Sequence, residues 1–151
     1  RTRDERIITM YASLPEPILA SASALFRLKS QDSAGIRVGW PGSSYDLQLT
    51  CQDPVSPTSN RRISGVVFAR GLRFHAASAG GLFVEPSDGE PRLLAGRVVA
   101  VDENNALVVL RAPMPILVSM PAGQDWSILT EGSMVNGHVE SGAGFLPVAA
   151  G

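Results

Sequence analysis

Cysteine, lysine and aromatic side chains are scarce in this sequence of 151 residues, and each shortage excludes something. Cys51 is alone, so no disulfide within the chain can staple it. His75 and His138 are the only histidines, and with Cys51 they lie too far apart in sequence to form a local metal-ligand pair. Lys29 is the only lysine, and it stands outside any G-x-x-x-x-G-K-[ST] phosphate loop. Every other basic residue is Arg, a usage that fits a GC-rich genome. Neither charge sign dominates: 13 basic against 14 acidic residues give a net charge of -1. That excludes a surface built throughout for nucleic acid or an anionic membrane, while leaving room for a local basic patch.

Long apolar runs are missing too, and none approaches the roughly 18 residues of a membrane-spanning helix. The chain begins at Arg1 without a basic and apolar leader, and so reads as a fragment or a mature product. Its length gives a prior of one domain, large enough to hold a core without disulfides or metal. An apolar share of 44% and a charged share of 18% are those of a folded globular protein.

What the sequence does contain is β-structure. Residues 1–23 read as an extended N-terminal arm, interrupted by Pro15 and Pro17. From Ala24 to Gly151 the chain reads as one domain, with short apolar or alternating runs separated by Gly, Pro, Ser, Asn and Asp. Strands are predicted at 24–29, 36–40, 45–51, 62–70, 72–77, 82–85, 93–101, 106–111, 115–119, 126–130 and 135–140. So many strands in so short a chain predict an all-β fold. The first choice is a single closed or partly closed β-barrel of oligonucleotide-binding (OB) type with Greek-key or meander connections, and the second a β-sandwich. The stretch "QDPVSPTSN", 52–60, is the predicted mobile loop.

The stretch "GRVVAVDENNALVVL", 96–110, folds back over a polar tip. Asn104 and Asn105 suit the centre of a type I′ turn, with Val101 opposite Val108 and Val99 opposite Leu110. Its apolar flanks predict a hairpin covered on both faces, so Asp102 and Glu103 are turn residues rather than a cation site. Glu85, Asp88 and Glu90 around "PSDG" likewise read as a solvated turn.

Catalytic constellations are broken or absent. Ser78, Asp102 and His138 have the chain order of a hydrolase triad, but "AASAG" lacks the first Gly of a nucleophile elbow, and the β-type run "LFVEP" follows instead of a helix. No cofactor is implied, because "GAGFLP" puts Pro where a dinucleotide fingerprint needs Gly. Within "RRISGVVFARGLRFHAASAGG", 61–81, a β-bulge at Gly71 would turn Ile63, Val67, Ala69, Leu72 and Phe74 inward. It would also place Phe68, Arg70, Arg73 and His75 on one outer face, the mixture that stacks bases and neutralises phosphates. Over this stretch the upstream Arg residues and "AASAGGLFV" resemble PilZ domains, β-barrels that bind cyclic dinucleotides through an Arg motif and a D/N-x-S-x-x-G motif. Ser78 and Gly81 match, Ala76 replaces the Asp or Asn, and the R-x-x-x-R spacing is missing, so membership is not claimed.

The function expected from this reading is a non-catalytic module that binds a protein partner or its own copies through strand edges and the arm. An oligonucleotide or nucleotide binder using Phe68, Arg70, Arg73 and His75 is the alternative, and a hydrolase using Ser78 the third. Trp40 and Trp126, beside turn signals, are expected to close the ends of the barrel.

Overall fold

The computed structural model describes residues 14–78 and 80–148. One short helix, α1 (Glu16–Ala22), precedes β1 (Ser23–Asp32), β2 (Gly35–Gly39), β3 (Asp46–Leu49) and the long β4 (Arg62–Ala76). β5 (Phe83–Glu85), β6 (Asp88–Gly89), β7 (Leu93–Asp102), β8 (Leu107–Ala112), β9 (Met114–Ser119), β10 (Met134–Val139) and β11 (Gly144–Pro147) complete the fold. The all-β expectation holds: all eleven strands share one mixed sheet, not the two of a sandwich.

β4 organises that sheet. Its first half, Arg62–Val66, pairs with β1 on one edge, and Gly65–Phe68 pairs with β11 on the other. Its second half pairs in parallel with β9 through Val67–Arg70 and antiparallel with β10 through Gly71–Ala76. Strands β4, β9, β8, β7 and β10 thereby close a ring of five. On the other side, β1, β2 and β3 form a meander whose end returns to β11: Thr50 N–H donates to Ala143 O at 2.9 Å, and Phe145 N–H to Thr50 O at 2.8 Å. A single-ring picture is therefore coarser than the molecule, because β4 borders two enclosures.

Alternation in the apolar strands distributes side chains between two cores. Val108 and Leu110 of β8, with Ile116 and Val118 of β9, join the main core that also holds Phe26, Leu28, Phe74 and Phe145. Leu107, Val109 and Leu117 point the other way and meet Val66, Phe68, Ile18 and Ala22. The hairpin is thus covered on both faces, and α1 supplies the cover. Here the expected extended arm is corrected: Glu16–Ala22 is helical, because Pro17 lies in the first turn where its missing N–H costs nothing, and Ile18 and Ala22 share one buried face. Residues 1–13 lie outside the described part.

Several local expectations need correction. Val101 does oppose Val108, but Leu110 faces Val98, because a bulge between Val98 and Ala100 leaves Val99 unpaired. The turn is a short 3-10 segment, Glu103–Asn105, with Ala106 rather than an Asn in the left-handed region at φ 56°. Asn105 Nδ2 closes it on Asp102 Oδ2 at 2.8 Å. The bulge in β4 is present, but the parity flips between Gly71 and Phe74, so Leu72 is half exposed at 50% instead of inward. Residues 126–128 form a 3-10 turn capped by Asp125, whose Oδ1 accepts from Ser127 N–H at 2.9 Å, and not a strand. "GFLP" is a strand despite its Gly and Pro.

Two glutamines stand in for missing strand partners. Beyond the end of β9, Gln124 Oε1 accepts from Phe74 N–H at 2.9 Å and its Nε2 donates to Phe74 O at 3.0 Å, continuing the β4 ladder with a side-chain amide. Gln31 does the same for the 52–60 loop, exchanging two 3.0 Å bonds with the backbone of Val55, whose side chain is buried. The loop predicted to be mobile is thus pinned near its middle.

Candidate functional site

A hollow of about 1040 Å³ lies over β1 and is bordered by the 40–45 turn and by Asn60, Arg61 and Arg62. Strand alternation builds its floor. Phe26 and Leu28 point into the core, so Leu25, Arg27 and Lys29 are left on the outer face and are exposed. The pairing with β4 places Arg27 directly opposite Arg62. On the other side Arg27 faces Gly39, which has no side chain, and the Lys29 chain lies over that glycine: a Cβ there would sit 2.9 Å from Lys29 Cε.

The walls are turns with specific backbone demands. Ser43 closes the Trp40–Ser43 turn by donating from its N–H and its hydroxyl to Trp40 O, at 3.2 and 2.6 Å. Trp40 is half-buried, with its ring tilted against Phe26 at a centroid distance of 5.2 Å, so it closes one end of the core while lining the groove. Tyr45 lines the same wall and accepts from Val84 N–H at 3.1 Å. Opposite, Asn60 and Arg61 both adopt positive φ, 65° and 57°, and Arg61 Nε donates to Leu28 O at 3.0 Å.

The electrostatics are one-sided. Among the described residues, Arg27, Lys29, Arg61 and Arg62 line the groove and no Asp or Glu does. Asp46 stands just outside, 4.0 Å from Lys29 Nζ and 3.2 Å from Arg37 Nη1, while Asp88 approaches the same Arg37 atom at 2.9 Å. Those two carboxylates thus serve mainly Arg37. Neither Arg27 nor Arg62 makes an ion pair among the described residues.

The residues singled out from sequence are not assembled in the same way. Phe68 is buried against the α1 side of the sheet and offers no ring to a ligand. Arg70 is largely covered and lies 3.5 Å from Glu140 Oε2. Arg73 and His75 are exposed and share a smaller hollow of about 350 Å³ with Asp125, whose carboxyl is held below its ordinary range by the Ser127 hydroxyl and then the Ser127 N–H. The expected four-residue face is therefore divided between core, ion pair and surface.

Ser78 is exposed in the loop after β4, His138 pairs with Leu93 at the start of β7, and Asp102 ends that ten-residue strand, so Asp102 and His138 stand roughly 30 Å apart along it. No group of three or more His, Cys, Asp or Glu side chains converges as a metal site among the described residues. Of the acidic trio, Asp88 pairs with Arg37 and Glu90 accepts from Ser141 and Gly142, so two of the three tie segments together.

Compared with protein-family models, with curated proteins and with solved structures, the chain matches none. The groove escaped the sequence reading because its key contact joins Arg27 to Arg62 across strands. Only the local half of the signal, Arg27 and Lys29 at strand spacing beside "WPGSSY", was visible in order.

Proposed function

We propose that this chain is a non-catalytic binding module that holds a phosphate-bearing, ring-containing ligand in the groove over β1. The observation that carries this reading is the facing pair Arg27 and Arg62, set on adjacent strands beside Lys29 and Arg61, with no carboxylate among the described residues of the lining. Like charges directly opposite one another weaken a sheet. A phosphate between them reverses that sign, since each guanidinium presents a planar fork of donors to anionic oxygens. Trp40 and Tyr45 supply flat surfaces for a ring on the adjoining wall.

Assembly by strand addition has less to work with. Among the described residues, the strands with a single partner are β5, of three residues, β6, of two, and β11, whose other side carries the Thr50 bridge. The large apolar side chains left exposed, Leu25, Leu72 and Leu82, belong to three different segments.

The test is thermal denaturation of the wild type, Arg27→Gln and Arg62→Gln, each alone and with millimolar AMP or an oligothymidylate. Without ligand, each variant should match or exceed the wild-type Tm, because a repulsion has been removed. With ligand, the wild type should gain stability and the variants clearly less. If neither phosphate compound raises the wild-type Tm, the reading fails.

A further inference from the structure

We infer that the occupant of this groove is a single strand of nucleic acid, spanning more than one nucleotide. The inference rests on the groove being a phosphate site and concerns what carries the phosphates. Size is the first argument. At about 1040 Å³ the hollow slightly exceeds the usual range of small-ligand sites, ~300–1,000 Å³, and its floor is the exposed face of β1.

Charge distribution is the second. A free mononucleotide carries its charge on one phosphate and is best held by donors converging on one point, typically a glycine-rich backbone cradle. Here the cations form a line. Arg62 stands on β4 with Arg61 beside it, Arg27 faces Arg62 from β1, and the Lys29 side chain reaches over Gly39 of β2, 4.0 Å from Asp46, so the row crosses three strands spaced about 4.8 Å apart. A row of about 10 Å, two strand spacings, is longer than one phosphate group. A polyanion meets Arg27, Arg62 and Lys29 together, whereas a mononucleotide meets one or two of them.

The aromatic wall is the third. Trp40 has one side backed by Phe26, which fixes its plane beside the cations without the entropy cost of ordering a free side chain. Stacking on such a ring tolerates any base, and basic residues interleaved with aromatics are the general solution for single strands. An acidic peptide would use the cations but leave Trp40 and Tyr45 without ring partners. The net charge of -1 is consistent with a local patch of this kind, since the groove concentrates four of the thirteen basic residues.

Fluorescence anisotropy of the whole chain with a labelled oligothymidylate of about 15 nucleotides tests this directly. Competitors are AMP, inorganic phosphate and an oligoglutamate peptide, and the variants are Arg27→Gln/Arg62→Gln and Arg73→Gln, each confirmed to be folded by circular dichroism. The oligonucleotide should bind at least tenfold more tightly than AMP. The log-log salt slope should be about -2, from three phosphate contacts at roughly 0.7 each, and the double variant should lose about 1.4 of it while weakening binding more than tenfold. Arg73→Gln should leave binding unchanged, and in a Trp126→Phe background binding should alter the remaining Trp40 fluorescence.

Equal affinity for AMP and the oligonucleotide would overturn the inference while sparing the phosphate site. Oligoglutamate competing as well as the oligonucleotide, or Arg73→Gln weakening binding more than the double variant, would also overturn it. Failure of every phosphate compound to bind would remove both readings.

Discussion

Replacing Gln124 by Leu removes an amide that acts as a strand. Gln124 is 6% exposed and exchanges two hydrogen bonds with the backbone of Phe74, at 2.9 and 3.0 Å. In the register with β10, Phe74 lies opposite Gly137, yet its own N–H and C=O are directed to the other edge of β4, where Gln124 receives them. Leucine fills the volume but leaves a buried donor and a buried acceptor unpaired. Each costs about 1–3 kcal/mol, so a loss of about 2–6 kcal/mol is expected. For a chain of 151 residues, at about 2–4 °C per kcal/mol, that lowers Tm by roughly 4–24 °C.

Urea denaturation supplies the free energy, and hydrogen exchange at Phe74 N–H supplies the locality: its protection should collapse in the variant while that of Val108 falls only as global stability falls. Gln124→Glu sharpens the test. Its carboxylate still accepts from Phe74 N–H but opposes Phe74 O, so burial and that carbonyl raise the folded-state pKa above the unfolded value. The deficit should therefore be largest at neutral pH and shrink as pH falls. A Gln124→Leu variant within ~1 °C of wild type would refute the reasoning, because the amide would then be dispensable to the β4 ladder.

Other expectations follow from the packing and the charges. Gly65→Ala would put a Cβ 2.4 Å from Phe145 Cζ and 2.5 Å from Leu146 O, and should cost about 1–3 kcal/mol in urea denaturation, whereas Gly81→Ala, with nothing within 4 Å, should be near neutral. Glu90 is held below its ordinary value chiefly by Gly142 N–H, with a smaller contribution from the Ser141 hydroxyl. Its stabilisation is complete above the ordinary value near 4.5 and is lost as pH falls through the lower folded value. Glu90→Gln should therefore be destabilised by less than about 1 kcal/mol at pH 7 and become indistinguishable from wild type in strong acid, as paired denaturation curves would test.

The all-β architecture and the doubly covered hairpin could be read from sequence because both are written as local period and turn chemistry. "ALVVLR" has no polar face, and the two cores on either side of Leu107–Leu110 are the physical reason. Failures came where a long-range partner overrode local preference. "EPILASA" has too few residues to show helical period, and it is helical because the outer face of β8 and β9 offers Ile18 and Ala22 a place to be buried. "GFLP" is extended because it fills the open edge of β4. Phe68 lies on the predicted face of β4, but α1 covers that face, so the ring is buried instead of exposed. The groove itself depends on a pairing between Arg27 and Arg62, which no inspection of neighbours in sequence exposes.

The sharing of β4 between two enclosures also orders events in time. Its first half needs β11, which emerges only after β5 through β10 have been made, to complete the enclosure formed with β1, β2 and β3. During synthesis the groove-bearing meander therefore precedes the strand that closes it, and for that interval it presents an unpaired edge. Such non-local closure slows folding and exposes the chain to mispairing. Until Phe145 settles over Gly65, any other strand that pairs along Gly65–Phe68 competes with β11 for the same edge.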